Sequence, residues 1–303
     1  MKKLYGVTTA MTTPFGSDGG VDLGAVAAQT EMLLEKGVHC LYPCGTTGEM
    51  TRMTVAERQA VTETVVRTAA GRAPVFIHCG AASQEDTESL LRHAEAAGAD
   101  GAGVVTPWFL TANRRELEAY YAAAAACVSE SFPLYLYNIP QCAANDLDAE
   151  TAAALAERFP NIVGIKYSYA DINRTMDYLR VRNWSFSVMH GCDRVFLAFL
   201  ALGCDGTVSG ISGVFPEPFT AVYRAFQAGD WAGALTWQRR AARITDILRG
   251  GSNMSYFKEA LKLRGLDAGH MRRPQLDLPA AEVAALRAQL EDFCQDAGIS
   301  LKL

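Results

Sequence analysis

Asn161-Ile-Val-Gly-Ile-Lys-Tyr-Ser168 is a short apolar run with a lysine where the apolar residues end. Ile162, Val163 and Ile165 give it the look of a buried β-strand. The chain has seven lysines, and only Lys166 falls inside a strand pattern. The others lie at the termini (Lys2, Lys3, Lys302) or in helical or polar stretches (Lys36, Lys258, Lys262). Burial disfavours an ammonium, and a neutral amine is the nucleophile needed to form a Schiff base with a carbonyl. A strand-end lysine that snorkels to water or pairs with a carboxylate is the competing reading.

Outward from this strand, strand-like and helix-like runs alternate. Toward the N-terminus the strands are Val7–Ala10, His39–Cys44, Pro74–Cys79, Gly101–Thr106 and Pro133–Asn138. Toward the C-terminus they are Phe186–His190 and Gly206–Ser209. Helical spacing fills the intervals, as in residues 22–36, 55–70, 84–97 and 114–129. Thr54 with Glu57 three residues on predicts a capping box at the start of the second helix. Eight strand–helix units in the first ~230 residues predict an α/β fold, a closed (β/α)₈ barrel. An open doubly wound sheet would call for a Gly-x-Gly-x-x-Gly turn after the first strand, and none is present. After Gly229 only helical patterns remain. The expected division is a barrel over residues 1–229 and an appended helical layer over 230–303.

The 303 residues are half hydrophobic, and the net charge is −5. A rule of about 150 residues per domain suggests two units, but an α/β barrel runs to ~250 residues as one. The acidic balance and the lack of long basic runs argue against nucleic acid as a partner. No run of about 18 apolar residues suggests a membrane span. Met1 to Gly6 leads straight into a strand pattern without the apolar core of a signal peptide. The eight cysteines are scattered without a Cys-x-x-Cys pair and read as reduced thiols. A cytoplasmic location is therefore expected.

In barrel enzymes the active site lies at the C-terminal ends of the strands. Strand two ends in Gly45-Thr46-Thr47-Gly48-Glu49, a turn whose N–H groups and hydroxyls suit a carboxylate or phosphate. Strand five ends at Tyr137, strand six at Lys166 and Ser168, and strand seven at Gly191-Cys-Asp193-Arg194. Strand eight contributes Ser209. A nucleophile, a proton shuttle and an anion anchor on strand ends of one barrel suggest carbonyl chemistry. His78 and His190 also end strands, with Asp193 near the second. A metal-dependent aldolase would use such residues, yet no His-x-His or His-Glu-x-x-His spacing occurs, and no metal is expected. A barrel that senses keto acids without turning them over is a further alternative.

Gly45-Thr-Thr-Gly-Glu49, Tyr137-Asn-Ile-Pro140, Gly164-Ile-Lys166 and Gly191-Cys-Asp193 together resemble the dihydrodipicolinate synthase/N-acetylneuraminate lyase family, in order and spacing. Phe257–Leu266 and Arg273-Pro274 extend the resemblance through the tail. It implies a (β/α)₈ barrel with a C-terminal helical region, usually a homotetramer, acting on keto acids and aldehydes. It implies a pyruvate imine on Lys166, with no metal or organic cofactor. It further implies that Tyr137 relays protons and that Thr46 and Thr47, with Gly45, hold the pyruvate carboxylate.

The departures bear on substrate. The synthase branch grips its aldehyde with an arginine where this chain has Cys142, and a cysteine cannot clamp a carboxylate. That branch also borrows a tyrosine from a neighbouring subunit, at the position of Phe109. Ser168 matches a hydroxyl position of the lyase branch, which carries Asp-Glu where this chain has Asp193-Arg194. The expected reaction is cleavage or formation of a 2-keto-3-deoxy acid. Ser168, Gly191, Asp193 and Ser209 then line the distal substrate, and Arg194 favours an acidic one if it faces the mouth. The alternative is 4-hydroxy-tetrahydrodipicolinate synthase, which uses the same lysine.

Overall fold

The computed structural model describes residues 1–251 and 253–303. The strands are β1 (Gly6–Ala10), β2 (Cys40–Tyr42), β3 (Phe76–His78), β4 (Gly101–Val105), β5 (Leu134–Asn138), β6 (Ile162–Tyr167), β7 (Ser187–His190) and β8 (Gly206–Ser209). Every residue in them is buried, which is why they read as near-continuous apolar runs. All pair in parallel, in the order β2-β1-β8-β7-β6-β5-β4-β3. The ring is nearly closed between β2 and β3 by a bridge of Leu41 to Val75. The architecture is the expected (β/α)₈ barrel.

The helices between strands are α1 (Leu23–Glu35), α2 (Val55–Ala69), α3 (Gln84–Ala96), α4 (Arg114–Ala126), α5 (Pro140–Ala143), α6 (Ala149–Arg158), α7 (Ile172–Arg180), α8 (Phe196–Leu202) and α9 (Pro216–Gln227). Their starts are marked by side-chain caps. Asp22, Ser83, Asp148 and Asp171 each accept a hydrogen bond from a first-turn N–H. Thr54 with Glu57, and Asn113 with Glu116, form full capping boxes. Each such cap contributes on the order of 1 kcal/mol. Helix α5, a single turn opened by Pro140, has no counterpart in the sequence pattern.

Inside the barrel, alternate strand residues meet as Tyr42, Phe76, Tyr135, Val163, Met189 and Val208. The opposite strand faces pack under the helices in one larger core. Among the described residues three more helices follow the barrel: α10 (Trp231–Ile247), α11 (Met254–Arg264) and α12 (Ala280–Ala297). Helix α10 packs on α9, and α12 packs on both α10 and α11. The segment after α11 reaches back to the barrel mouth. Gly269 bridges Phe15, and Arg272 donates to Glu57 at 2.9 Å and to the Arg52 carbonyl at 2.6 Å. No helix among the described residues is long and apolar enough to cross a membrane.

Candidate active site

The register of the barrel places Tyr137 on β5 directly beside Lys166 on β6, and Lys166 beside Met189 on β7. Lys166 is 4% exposed. Its Nζ lies 3.9 Å from the centre of the Tyr137 ring and 4.8 Å from that of Tyr42. Among the described residues it has no carboxylate partner. The amine is thus held by aromatic faces, and no ion pair has to break before it reacts.

The Tyr137 hydroxyl stands 3.4 Å from Thr46 Oγ1, at the first turn after β2. Thr47 reaches the loop after β8, where a methyl added at Gly210 would come within 2.8 Å of Thr47 Oγ1. On the other side, Ser168 touches the β7 end, where a Cβ at Gly191 would meet Ser168 Oγ at 2.1 Å. Only glycine allows that approach. Ser209 is fully buried and accepts from the Ser212 N–H at 2.9 Å. Asp193 Oδ1 is buried without a hydrogen-bond partner among the described residues. Burial pushes the Asp193 carboxyl up to about 7, opposed by the nearby Ser209 hydroxyl, the Ile211 N–H, the Lys166 charge and the Thr207 hydroxyl.

Arg194 does not join this group, which corrects the expectation of a positive charge at the mouth. Its guanidinium is 64% exposed and pairs with Asp246 of α10 at 2.7 Å. Residues Asp193–Val195 form a 3-10 turn ahead of α8. About three residues per turn separates neighbouring side chains widely, so Asp193 turns in while Arg194 turns out.

Two groups near the site were not legible in the sequence. Tyr42 forms part of the barrel floor beside the lysine, and its place on an alternating strand is the signal that could have found it. Lys258 on α11 is a second buried lysine, 1% exposed. Its Nζ lies 2.7 Å from Glu49 Oε1 and donates to the His270 carbonyl at 2.6 Å. Burial lowers the Lys258 pKa, and Glu49 opposes that. Glu49 also binds Arg52 at 2.9 Å, so the Gly45–Gly48 turn is anchored from beneath. The histidines at strand ends are buried and neutral. Burial, then Arg58 and Lys166, keep the His78 pKa well below its usual value, and burial alone brings His190 down to about 3. Among the described residues no three His, Cys, Asp or Glu side chains are grouped to hold a metal.

A parallel eight-stranded barrel with an amine, a phenol and paired hydroxyls gathered at its C-terminal mouth has the make-up of a barrel lyase. Residues 3–293 match the Dihydrodipicolinate synthetase family, and the chain belongs to it. It is 36% identical over 294 residues to a 4-hydroxy-tetrahydrodipicolinate synthase of Phenylobacterium zucineum, covering 97% of each chain. It is 35% identical over 250 residues to the Escherichia coli protein named "Probable 2-dehydro-3-deoxy-D-pentonate aldolase YjhH", covering 82% of each. Among solved structures, YagE of E. coli K12 in complex with pyruvate superposes with a TM-score of 0.91 at 28% identity, over 96% of this chain and 99% of that one. Members of the family are lyases and synthases that form Schiff bases with pyruvate, and the chain is a carbon–carbon lyase of that class, a pyruvate aldolase.

Proposed function

We propose that the protein cleaves or forms a 2-keto-3-deoxy acid through a pyruvate imine on Lys166. The observation that carries this reading is the contrast between the two buried lysines. Lys258 is committed to a carboxylate and a carbonyl, whereas Lys166 is uncommitted and faces Tyr137. The Lys166 amine attacks the C2 carbonyl, and the carbinolamine loses water to give the imine. Tyr137, in line with Thr46, carries the protons that these steps move. Gly45, Thr46 and Thr47 receive the C1 carboxylate. In the cleavage direction the C4 hydroxyl gives up its proton, the C3–C4 bond breaks, and the aldehyde leaves. The electron pair rests in the enamine, which is protonated at C3 and hydrolysed to pyruvate. Ser168, Gly191, Asp193 and Ser209 offer the polar side of the site to substrate hydroxyls.

The second reading is 4-hydroxy-tetrahydrodipicolinate synthase. It draws on the 36% identity to a protein of that name. Cys142 and Phe109 count against it, because a thiol cannot clamp the carboxylate of aspartate semialdehyde and Phe109 lacks the hydroxyl of the borrowed tyrosine. We also propose that residues 1–229 form the catalytic unit and 230–303 a supporting layer, that the enzyme is a cytoplasmic homotetramer, and that it needs no metal or organic cofactor. The test is a panel of aldehydes incubated with pyruvate, with products read by mass spectrometry. Condensation with hydroxylated aldehydes supports the lyase reading, and efficient turnover of aspartate semialdehyde restores the synthase.

A further inference from the structure

Two residues after Lys166, strand alternation returns Ser168 to the face that carries the lysine. A rise of about 3.3 Å per residue sets it roughly 7 Å further up the barrel wall, on the aldehyde side of an imine at Lys166. Its backbone is held twice, by the last residue of β5 and by the turn that follows. The Ser168 N–H donates to the Asn138 carbonyl at 3.0 Å, and the Ser168 carbonyl accepts from Gln141 Nε2 at 2.7 Å. Asn138 is fully buried and donates in turn to Asp146 Oδ1 at 2.7 Å and to the Leu147 carbonyl at 3.2 Å. Gln141 stands on α5, the single turn opened by Pro140. Of the two holds on Ser168, the one from Gln141 is made by a side chain. Ser168 itself is 9% exposed, and its Oγ makes no hydrogen bond among the described residues.

From this arrangement we infer that Gln141 is a positioning residue, which fixes the Ser168 backbone so that the Ser168 hydroxyl meets a hydroxyl on the aldehyde half of the substrate. The inference rests on the imine reading above and names the residue that orients one of its contacts. A covered hydroxyl without a partner in the protein is suited to a partner on the ligand, because leaving it unpaired is costly. Gly191 leaves room for that hydroxyl on the β7 side, and Gln141 holds the carbonyl of the same residue on the β5 side. Without the Gln141 amide the peptide after Ser168 is free to rotate, since Tyr169 and Ala170 beyond it are exposed. A small rotation there carries the hydroxyl off the line of the substrate contact, and oriented hydrogen bonds are the first to suffer. Gln141 touches no reacting atom, so imine formation on Lys166 proceeds without it.

The test compares kcat/KM for glyceraldehyde and propanal as acceptors with pyruvate, two aldehydes of equal chain length that differ in their hydroxyls. It is run on wild type, Gln141→Met, Ser168→Ala and the double variant. Gln141 is exposed and methionine matches its length, so the Met variant is expected to fold. Borohydride trapping of pyruvate on every variant reads the imine independently. Wild type should prefer glyceraldehyde by about tenfold or more. Gln141→Met should cut that ratio about three- to tenfold, the range of one hydrogen bond, with trapping retained. Ser168→Ala should cut it at least as far, and adding Gln141→Met to Ser168→Ala should change it no further, because both act on one contact. Additive losses, an unchanged ratio in Gln141→Met, or no preference in wild type, each with trapping intact, overturn the inference and leave the imine reading standing. An absence of trapping in wild type overturns both.

Discussion

Glu49 and Lys258 form an ion pair of 2.7 Å whose side chains are 0% and 2% exposed. Glu49 has a φ of 59°, in the left-handed region that favours glycine. Its carboxylate is held by Lys258 and by Arg52, so the strained residue closes the Gly45–Gly48 turn in one conformation. The helical layer thereby fixes the loop that presents Thr46 and Thr47.

Breaking that pair should be costly. In Glu49→Gln the Lys258 ammonium stays buried without its counter-charge, a loss of about 3–5 kcal/mol. Chemical denaturation should show that loss, and Glu49→Gln/Lys258→Met should recover much of it. A loss below about 1 kcal/mol would place the pair in the class of surface bridges.

Asp193 should make stability depend on pH. Its pKa is raised from an ordinary 3.8 to about 7 by burial. Between those values the folded chain binds a proton that the unfolded chain does not. The stabilisation is therefore full below about pH 4 and is lost as pH rises through about 7, a span on the order of 4 kcal/mol. Denaturation midpoints of Asp193→Asn should lack this decline between pH 4 and 7. A slope identical to wild type would show that Asp193 is not the group that titrates.

Tyr137→Phe should keep the fold and lower turnover by ~10²–10⁴-fold, the usual contribution of a general acid–base group. The ring still packs over Lys166, so only the hydroxyl and its contact with Thr46 are removed. Steady-state rates with circular dichroism as the fold check decide it. A Phe variant at the wild-type rate would reduce Tyr137 to packing.

Arg194→Ala should leave kcat/KM for every acceptor within about twofold, as surface substitutions usually do. Its guanidinium pairs with Asp246 on the outside of the barrel. A large, acceptor-specific loss would return Arg194 to the substrate side.

The barrel was legible because its signals are local. Strand β8 has the bounds that the sequence pattern gives, β6 lies within the quoted Asn161–Ser168 run, and most helix starts follow from caps such as Thr54 with Glu57. The strand ends also brought Tyr137, Thr46 and Lys166 together, since parallel barrel strands deliver their C-termini to one face. What escaped was non-local or sub-helical. Lys258 lies in an ordinary helical pattern, and its burial depends on Glu49, at the far end of the chain in sequence. The direction of Arg194 depends on a 3-10 turn that no periodicity marks.

Lys166, and not the buried Lys258, should form the imine with pyruvate. The protein is incubated with pyruvate, reduced with borohydride, digested and mapped by mass spectrometry. The predicted result is one reduced pyruvate adduct per chain, on Lys166, absent from Lys166→Ala. An adduct on Lys258, one that persists in Lys166→Ala, or none at all would contradict it.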